Sequence, residues 1–510
     1  MDTLRKLAQE APDKVAAVLA LSSESVTFQE LDEHSATLAV ELAAKFAPGE
    51  VVAVLLGNSL RYIEVCFAAR RSGLYYVPIS THLTPAEIEY IIRDSGAKVL
   101  FTSQQFIDLV SQMEPEVRSD LAVALVDAAP PDALDTNVWD YCGIVEKKGP
   151  VPDLPGRPLG LDFAYSSGTT GKPKGIKHNA QGDEQMRRAI AGNWLSFFNL
   201  DRNTVFLSPA PLYHAAPLRF VIRTIANGGT AVIMQKFDAE KALLAIQTHK
   251  VTHSQWVPTM FVRLLALPFD ARSTYDLSSH QYVLHAAAPC PIDVKNEIIS
   301  WWGPIVWEYY TGSERAGATV ISSAEWLLHP GSVGKAAQGV LHIVNDEGEE
   351  CRFGQDGLVC FENGPRFEYH NDPKKTAEAY SINGWATFGD IGHVNEQGYL
   401  FLTDRRANMI ISGGVNIYPQ EAENVLATHP LVKDVAVIGV PNPEFGEEVK
   451  AVVELYDAAM ASDDTAQHLI QYCRRQISPI KCPRTVDFDT ALPRTDTGKL
   501  LKRLLRDRYK

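Results

Sequence analysis

The chain has 510 residues, 45% of them hydrophobic and 22% charged, so two or three domains and a large core are expected. A formal net charge of −14 excludes a general affinity for nucleic acid or anionic membrane; any polyanion must be held by a local basic site. Seven scattered cysteines without a CxxC pair, and histidines without HExxH spacing, argue for reduced thiols and against a transition-metal centre.

The N-terminus mixes both charge signs and lacks the apolar core of a secretory leader, and no apolar run is long enough to span a bilayer. A cytoplasmic protein is expected. Val51–Leu56 reads as a buried strand, followed by the turn Gly57-Asn58-Ser59 and an amphipathic helix near Arg61–Ser72. A strand at Tyr75–Ile79, a helix at Pro85–Ser95 and a strand at Lys98–Thr102 repeat the βαβ pattern and predict a parallel sheet. Pro130–Pro155, rich in Pro, Asp and Gly, reads as an irregular surface connection. Alternation resumes at Thr230–Met234, Asp238–Lys250, Ser254–Pro258 and Tyr282–Ala286. From Gly331 onward, turn signals at Asn345–Gly348 and Glu396–Gly398 predict β-hairpins. Beyond Asp404 the pattern becomes α+β, with helices at Pro419–His429 and Thr465–Ser478 and strands at Asp434–Val440 and Val449–Leu455. The predicted architecture is α/β: a large N-terminal domain (1–404) with parallel-type sheets and a β-rich subdomain, and a small α+β C-terminal domain (405–510).

The run Tyr165-Ser166-Ser167-Gly168-Thr169-Thr170-Gly171-Lys172-Pro173-Lys174-Gly175 concentrates glycines, hydroxyls and ammonium groups, a combination suited to cradling a polyphosphate. It is not a Walker A loop: Ser166 stands where the first Gly belongs, and Pro173 follows Gly171-Lys172. The run resembles the signature phosphate loop of the adenylate-forming superfamily, which includes acyl- and aryl-CoA synthetases, peptide-synthetase adenylation domains and luciferases. Other motifs follow in that family's order, so the resemblance extends from about residue 10 to the C-terminus.

Within Glu308-Tyr309-Tyr310-Thr311-Gly312-Ser313-Glu314 an aromatic ring can stack on adenine, a hydroxyl can bind phosphate and a carboxylate can hold Mg2+. The resemblance implies that Tyr310 stacks, Ser313 bonds the α-phosphate and Glu314 holds the metal, with Thr169 as a second metal ligand. Ser166, Ser167, Gly168, Thr169, Thr170, Lys174, Glu308, Tyr309 and Thr311 complete the implied nucleotide set. Thr311 and Ser313 replace the family's Gly and Thr, and Thr311 is expected to narrow the acyl site. Asp390, closing Thr387-Phe388-Gly389-Asp390, and Arg405 match residues that contact ribose. Lys499, in Thr497-Gly498-Lys499, matches the catalytic lysine, whose ammonium offsets the meeting of two anions. Ser412-Gly413-Gly414 matches the segment lining the CoA tunnel, where paired glycines admit a thin chain. Ala407 stands at the family's hinge position, so any hinge action must come from the backbone. Tyr213 and His214 match the border of the acyl pocket, with Trp256, Ala286, Ala287 and Ala288 as walls. Arg219 is expected to play a surface role.

The resemblance implies a carboxylic acid–CoA ligase that uses ATP, CoA and Mg2+ and makes an acyl-adenylate from a fatty or aryl-alkanoic acid. The chain resembles bacterial stand-alone fatty-acyl-CoA synthetases. Other readings are an adenylating enzyme with a different acceptor, a luciferase-like oxidoreductase and a non-catalytic nucleotide binder. The segment Tyr213-His214-Ala215-Ala216 lacks the Asp that an amino-acid-adenylating domain would use to pair an α-amino group. The expected partners are small molecules, in a monomer or homodimer.

Overall fold

Five short apolar segments, Val51–Leu55, Tyr75–Pro78, Ala97–Thr102, Ala122–Leu125 and Asn137–Trp139, pair side by side in parallel, as the βαβ pattern predicts. This computed structural model describes residues 3–128, 137–147, 154, 156–166, 173–178, 193–412, 415–494 and 500–509. The helices between these strands start where the chain supplies caps. Thr84 and Glu87 form a capping box for Pro85–Ser95, and Gly96, at φ +67°, takes the left-handed position that ends it. The stretch read as irregular holds the edge strand Asn137–Trp139 and the helix Tyr141–Val145. Burial explains the difference: Trp139 stacks on Phe46 with ring centroids 5.9 Å apart, and the Lys45 ammonium lies 4.3 Å above its ring.

A second sheet has thirteen strands among the described residues. From Val15–Leu19 through Thr230–Ile233, Val205–Ser208, His253–Trp256 and Tyr282–His285 to Val306–Thr311 its neighbours run parallel. Beyond Val306–Thr311 every pairing is antiparallel, through Ala318–Ser322 and Ser332–Gln338 to the hairpin Ala386–Val394/Leu400–Arg405. The predicted turn at Glu396–Gly398 joins that hairpin. Apolar clusters cover both faces of the parallel half, one around Phe206, Phe220 and Tyr309, the other around Trp256, Phe261 and Trp326. The strand Val306–Thr311 is thus the last parallel strand and the first antiparallel one. Ligands gather beyond the carboxyl ends of such parallel strands.

A three-stranded sheet of Ala164–Ser166, Lys174–Lys177 and Glu368–Tyr369 lies apart from both. Arg405 ends the last strand of the large sheet. After the turn Arg406–Asn408 the chain enters a five-stranded sheet built on the long hairpin Val432–Asn442/Gly446–Leu455. This small unit has its own core around Leu426, Val437, Val453 and Leu469. All seven cysteines are unpaired thiols, and no described helix is long and apolar enough to cross a membrane.

Candidate active site

Alternation along Val306–Thr311 sends successive side chains to opposite faces. Tyr310, near the carboxyl end, meets Phe361 and Phe388 at centroid distances of 6.3 and 5.7 Å. Its hydroxyl donates to Asp390 Oδ2 at 2.6 Å. Asp390 pairs in register with Arg405 across the hairpin, and Arg405 Nε lies 3.1 Å from Asp390 Oδ1. Each oxygen of the buried carboxylate therefore has its own partner. Burial and then the Asp390 charge push the Tyr310 phenol up, and Asp390 raises the Arg405 pKa further.

The chain then turns through Gly312, where a Cβ would collide with the Glu314 carboxylate and the Phe388 ring. Glu314 is 9% exposed, and its Oε1 accepts from the Tyr369 hydroxyl at 2.7 Å. Burial first and Glu314 second push the Tyr369 phenol up, so it stays a neutral donor. The Lys174 ammonium stands 5.4 Å from the Tyr369 ring centroid. Burial, then the charge of Lys375, lowers the Lys174 pKa. A phosphate placed here would relieve that repulsion. One buried carboxylate with a neighbouring phosphate site is also the donor set that Mg2+ accepts, since it takes one or two carboxylates plus substrate phosphates. Among the described residues no cluster of three or more His, Cys, Asp or Glu offers an all-protein metal cage.

The run Tyr165–Gly175 is closed at its foot. Ser166 pairs with Lys174, and Tyr165 donates to Asp94 Oδ2 at 2.7 Å. Gly175 has no room for a Cβ, because Phe163 and Tyr165 fill that space. Ser167, Gly168, Thr169 and Thr170 lie outside the described residues, as do Gly413, Gly414 and Lys499. Ser412 is buried and ends the strand Ile410–Ser412, which returns through Val415–Ile417. On either side of Lys499, Arg494 and Leu500 form an antiparallel bridge, and Arg494 grips Asp434 at 2.6 and 2.7 Å.

His214 occupies the N-cap position of the helix Ala215–Ala226, with its ring 4.6 Å from that of Tyr213. Asn58 holds this segment: its Oδ1 accepts from Leu212 N at 2.7 Å, and its Nδ2 donates to the carbonyls of Ala210 and Met234. Ala286, Ala287 and Ala288 follow the carboxyl end of Tyr282–His285, beside Val306–Thr311. Ala287 is exposed and sits at φ +77°, a left-handed conformation that costs a residue with a Cβ roughly 1–2 kcal/mol.

Several expected residues lie elsewhere. Trp256 is fully buried against Phe237, Phe261 and Trp302, so it is core and not a pocket wall. Glu308 pairs with the buried Lys295 ammonium at 2.5 Å. Tyr309 accepts from Gln255 Nε2 at 3.0 Å and packs between Phe198 and Phe220. Tyr309 faces the opposite side of the strand from Tyr310, and Glu308 lies two residues back along it. Thr311 spends its hydroxyl on the Gly317 carbonyl at 2.6 Å. Arg219 is no surface charge: it lies 2.8 Å from the buried Asp162 and donates to the Ser313 carbonyl at 3.1 Å. Lys502 is half-buried and pairs with Glu423 at 2.7 Å. Tyr369, Asp162 and Asn58 carried no signal of their own in the sequence.

The AMP-binding enzyme family matches residues 4–365, and the family's C-terminal domain matches residues 421–499. The chain belongs to the AMP-binding enzyme family. Among its relatives is the long-chain-fatty-acid–CoA ligase FadD13 of Mycobacterium tuberculosis, 30% identical over 99% of this chain and 97% of that protein. Another is a feruloyl-CoA synthase of Amycolatopsis, 33% identical over 95% of this chain and 94% of its own length. The solved o-succinylbenzoate CoA synthetase of Bacillus subtilis with its acyl-adenylate superposes with a TM-score of 0.81 at 26% identity, covering 99% of this chain and 98% of that one.

Proposed function

We propose that the protein is an ATP-dependent, AMP-forming carboxylic acid–CoA ligase whose acid is a fatty or aryl-alkanoic one. The observation that carries this reading is the meeting of Tyr310, Asp390, Arg405 and Glu314 at the carboxyl end of one strand, beside Lys174 at the foot of the phosphate loop. The two named relatives act, by their names, on a long-chain fatty acid and on ferulate, which supports an acid with a substantial apolar part.

In the first half-reaction the acid's carboxylate attacks the α-phosphorus of ATP; its P–O bond forms as the bond to pyrophosphate breaks. Two anions must approach, and charge grows on the leaving group. Lys174 and the loop hydroxyls of Thr169 and Thr170 hold the outer phosphates, Ser313 donates to the α-phosphate, and Asp390 with Arg405 fixes the ribose. Glu314 would hold Mg2+, which neutralises phosphate charge when bound. The Lys499 ammonium bridges the attacking carboxylate and the α-phosphate. In the second half-reaction the CoA thiolate attacks the acyl carbon and AMP leaves. Ser412, Gly413 and Gly414 line its approach, and His214 stands where acid and thiol meet.

The deciding experiment is acid-dependent ATP–pyrophosphate exchange, followed by CoA consumption, over alkanoic, arylpropionic, cinnamic and steroid acids. Exchange without CoA consumption would redirect the reading to another acceptor. No exchange with any acid would remove it.

A further inference from the structure

Asp162 lies three residues before Tyr165, where the phosphate loop begins, and a parallel bridge ties it to Tyr76. It is 5% exposed and faces two guanidinium groups. Arg219 Nε donates to Asp162 Oδ2 at 2.9 Å, and Arg315 donates to Asp162 Oδ1. The two arginines come from different parts of the site. Arg219 belongs to the helix whose N-cap position His214 occupies. Arg315 directly follows Glu314 and sits at φ +58°, a backbone conformation that an arginine adopts only when its surroundings impose it. The same turn is held twice more: Arg219 donates to the Ser313 carbonyl at 3.1 Å, and Gln338 Nε2 donates to the Arg315 carbonyl at 3.1 Å. Burial opposes ionisation of Asp162, but the two guanidiniums outweigh it and hold the carboxyl far below the usual range.

We propose that Asp162 is a positioning residue for adenylation: through Arg219 and Arg315 it clasps the acyl-side helix to the Ser313–Glu314 turn and keeps the acid's carboxylate in register with the α-phosphate. This rests on the ligase reading above. Asp162 touches no reactant in this arrangement. It sets where the Ser313 hydroxyl and the Glu314 carboxylate stand relative to His214. In-line attack tolerates little displacement, so slackening the clasp slows the step in which the anions meet. The CoA step starts from an acyl-adenylate already formed and does not depend on that register.

The test separates the half-reactions in Asp162→Asn, Asp162→Glu and Arg219→Lys. Asp162→Asn keeps the shape and removes the charge that both arginines share. Arg219→Lys keeps a charge beside Asp162 but cannot also reach the Ser313 carbonyl. Both should lower kcat for pyrophosphate exchange about tenfold or more. The KM for ATP and the rate of thioester formation from supplied acyl-adenylate should stay within about twofold. Asp162→Glu should recover part of the lost kcat. If Asp162→Asn does not fold, Arg219→Lys decides alone. Equal loss in both half-reactions, or unchanged exchange, would overturn the clasp. Absence of exchange in the wild-type protein would instead defeat the ligase reading, so the two failures are distinct.

Discussion

The Tyr369 hydroxyl donates to Glu314 Oε1 at 2.7 Å from a strand paired with Lys174–Lys177, the strand that leaves the phosphate loop. The carboxylate proposed to hold the metal is therefore oriented from the phosphate side of the site. Tyr369→Phe removes this one bond and leaves the ring beneath Lys174. It should raise the Mg2+ concentration needed for half-maximal pyrophosphate exchange about threefold to tenfold while costing about 1 kcal/mol of stability. Because the phenol pKa is raised, the wild-type enzyme should show no alkaline loss from Tyr369 below about pH 10. A metal titration that superposes on the wild-type curve would separate Tyr369 from Glu314's function.

Lys499→Ala should abolish most adenylation while sparing thioester formation from supplied acyl-adenylate. Neutralising two converging anions is needed only in the first step, and a lost donor in such a site costs about 100-fold or more. Stopped-flow measurement of each half-reaction checks it; equal loss in both would refute the assignment. Gly414→Trp should show the opposite asymmetry, slowing the CoA step more than pyrophosphate release.

Ala287 holds a left-handed backbone that glycine adopts without steric cost. Ala287→Gly should stabilise the protein by about 1 kcal/mol, visible as a higher melting temperature. It should also admit bulkier acids, since the methyl that disappears stands at the carboxyl end of the strand beside Val306–Thr311. A lower melting temperature with an unchanged acid profile would show that the residue neither strains nor shapes the pocket.

Stability in the N-terminal half should have two pH limits, set by Glu64. This carboxylate, 1% exposed, accepts from Arg61 at 2.9 Å and from Tyr141 at 2.5 Å, and His34 Nδ1 lies 3.0 Å away. Hydrogen bonding to Glu64 raises the His34 pKa. That contribution is complete below the unfolded value near 6.5 and is lost as pH rises through the higher folded value. Burial opposes ionisation of Glu64, but His34 and Arg61 outweigh it and lower its pKa. Its contribution is present above the unfolded value near 4.5 and fades as pH falls through the lower folded one. His34→Gln should flatten the alkaline decline in melting temperature; Glu64→Gln should cost about 3 kcal/mol and remove both limits. A wild-type melting temperature constant from about pH 4 to about pH 9 would contradict this.

Much of the architecture was legible because it is written in local periodicity. The buried run Val51–Leu55 and the capped helix Pro85–Ser95 need no distant partner to be recognised. The short strand Asn137–Trp139 was not legible, since its place depends on Phe46, some ninety residues earlier. At the site, the resemblance to the family's motifs points to Tyr310, Asp390, Arg405 and Glu314, and the fold brings them together. Tyr369 and Asp162 are not legible in the sequence because strand pairing and ion pairing deliver them from remote segments. Glu308, Tyr309 and Trp256 are engaged by Lys295, Gln255 and the apolar core, contacts that adjacency in a motif does not reveal.

The Asp390 carboxylate is fixed by Tyr310 on one oxygen and Arg405 on the other. Each carboxylate oxygen still has a lone pair that a ribose hydroxyl can use. Ordering a free side chain on binding costs about 0.5–1.5 kcal/mol. Here that loss of rotational freedom is incurred during folding, so binding of the ribose proposed for this position would carry little entropic penalty. Tyr310→Phe would return the rotor to the carboxylate, and calorimetry of AMP binding would register the change as a less favourable entropy.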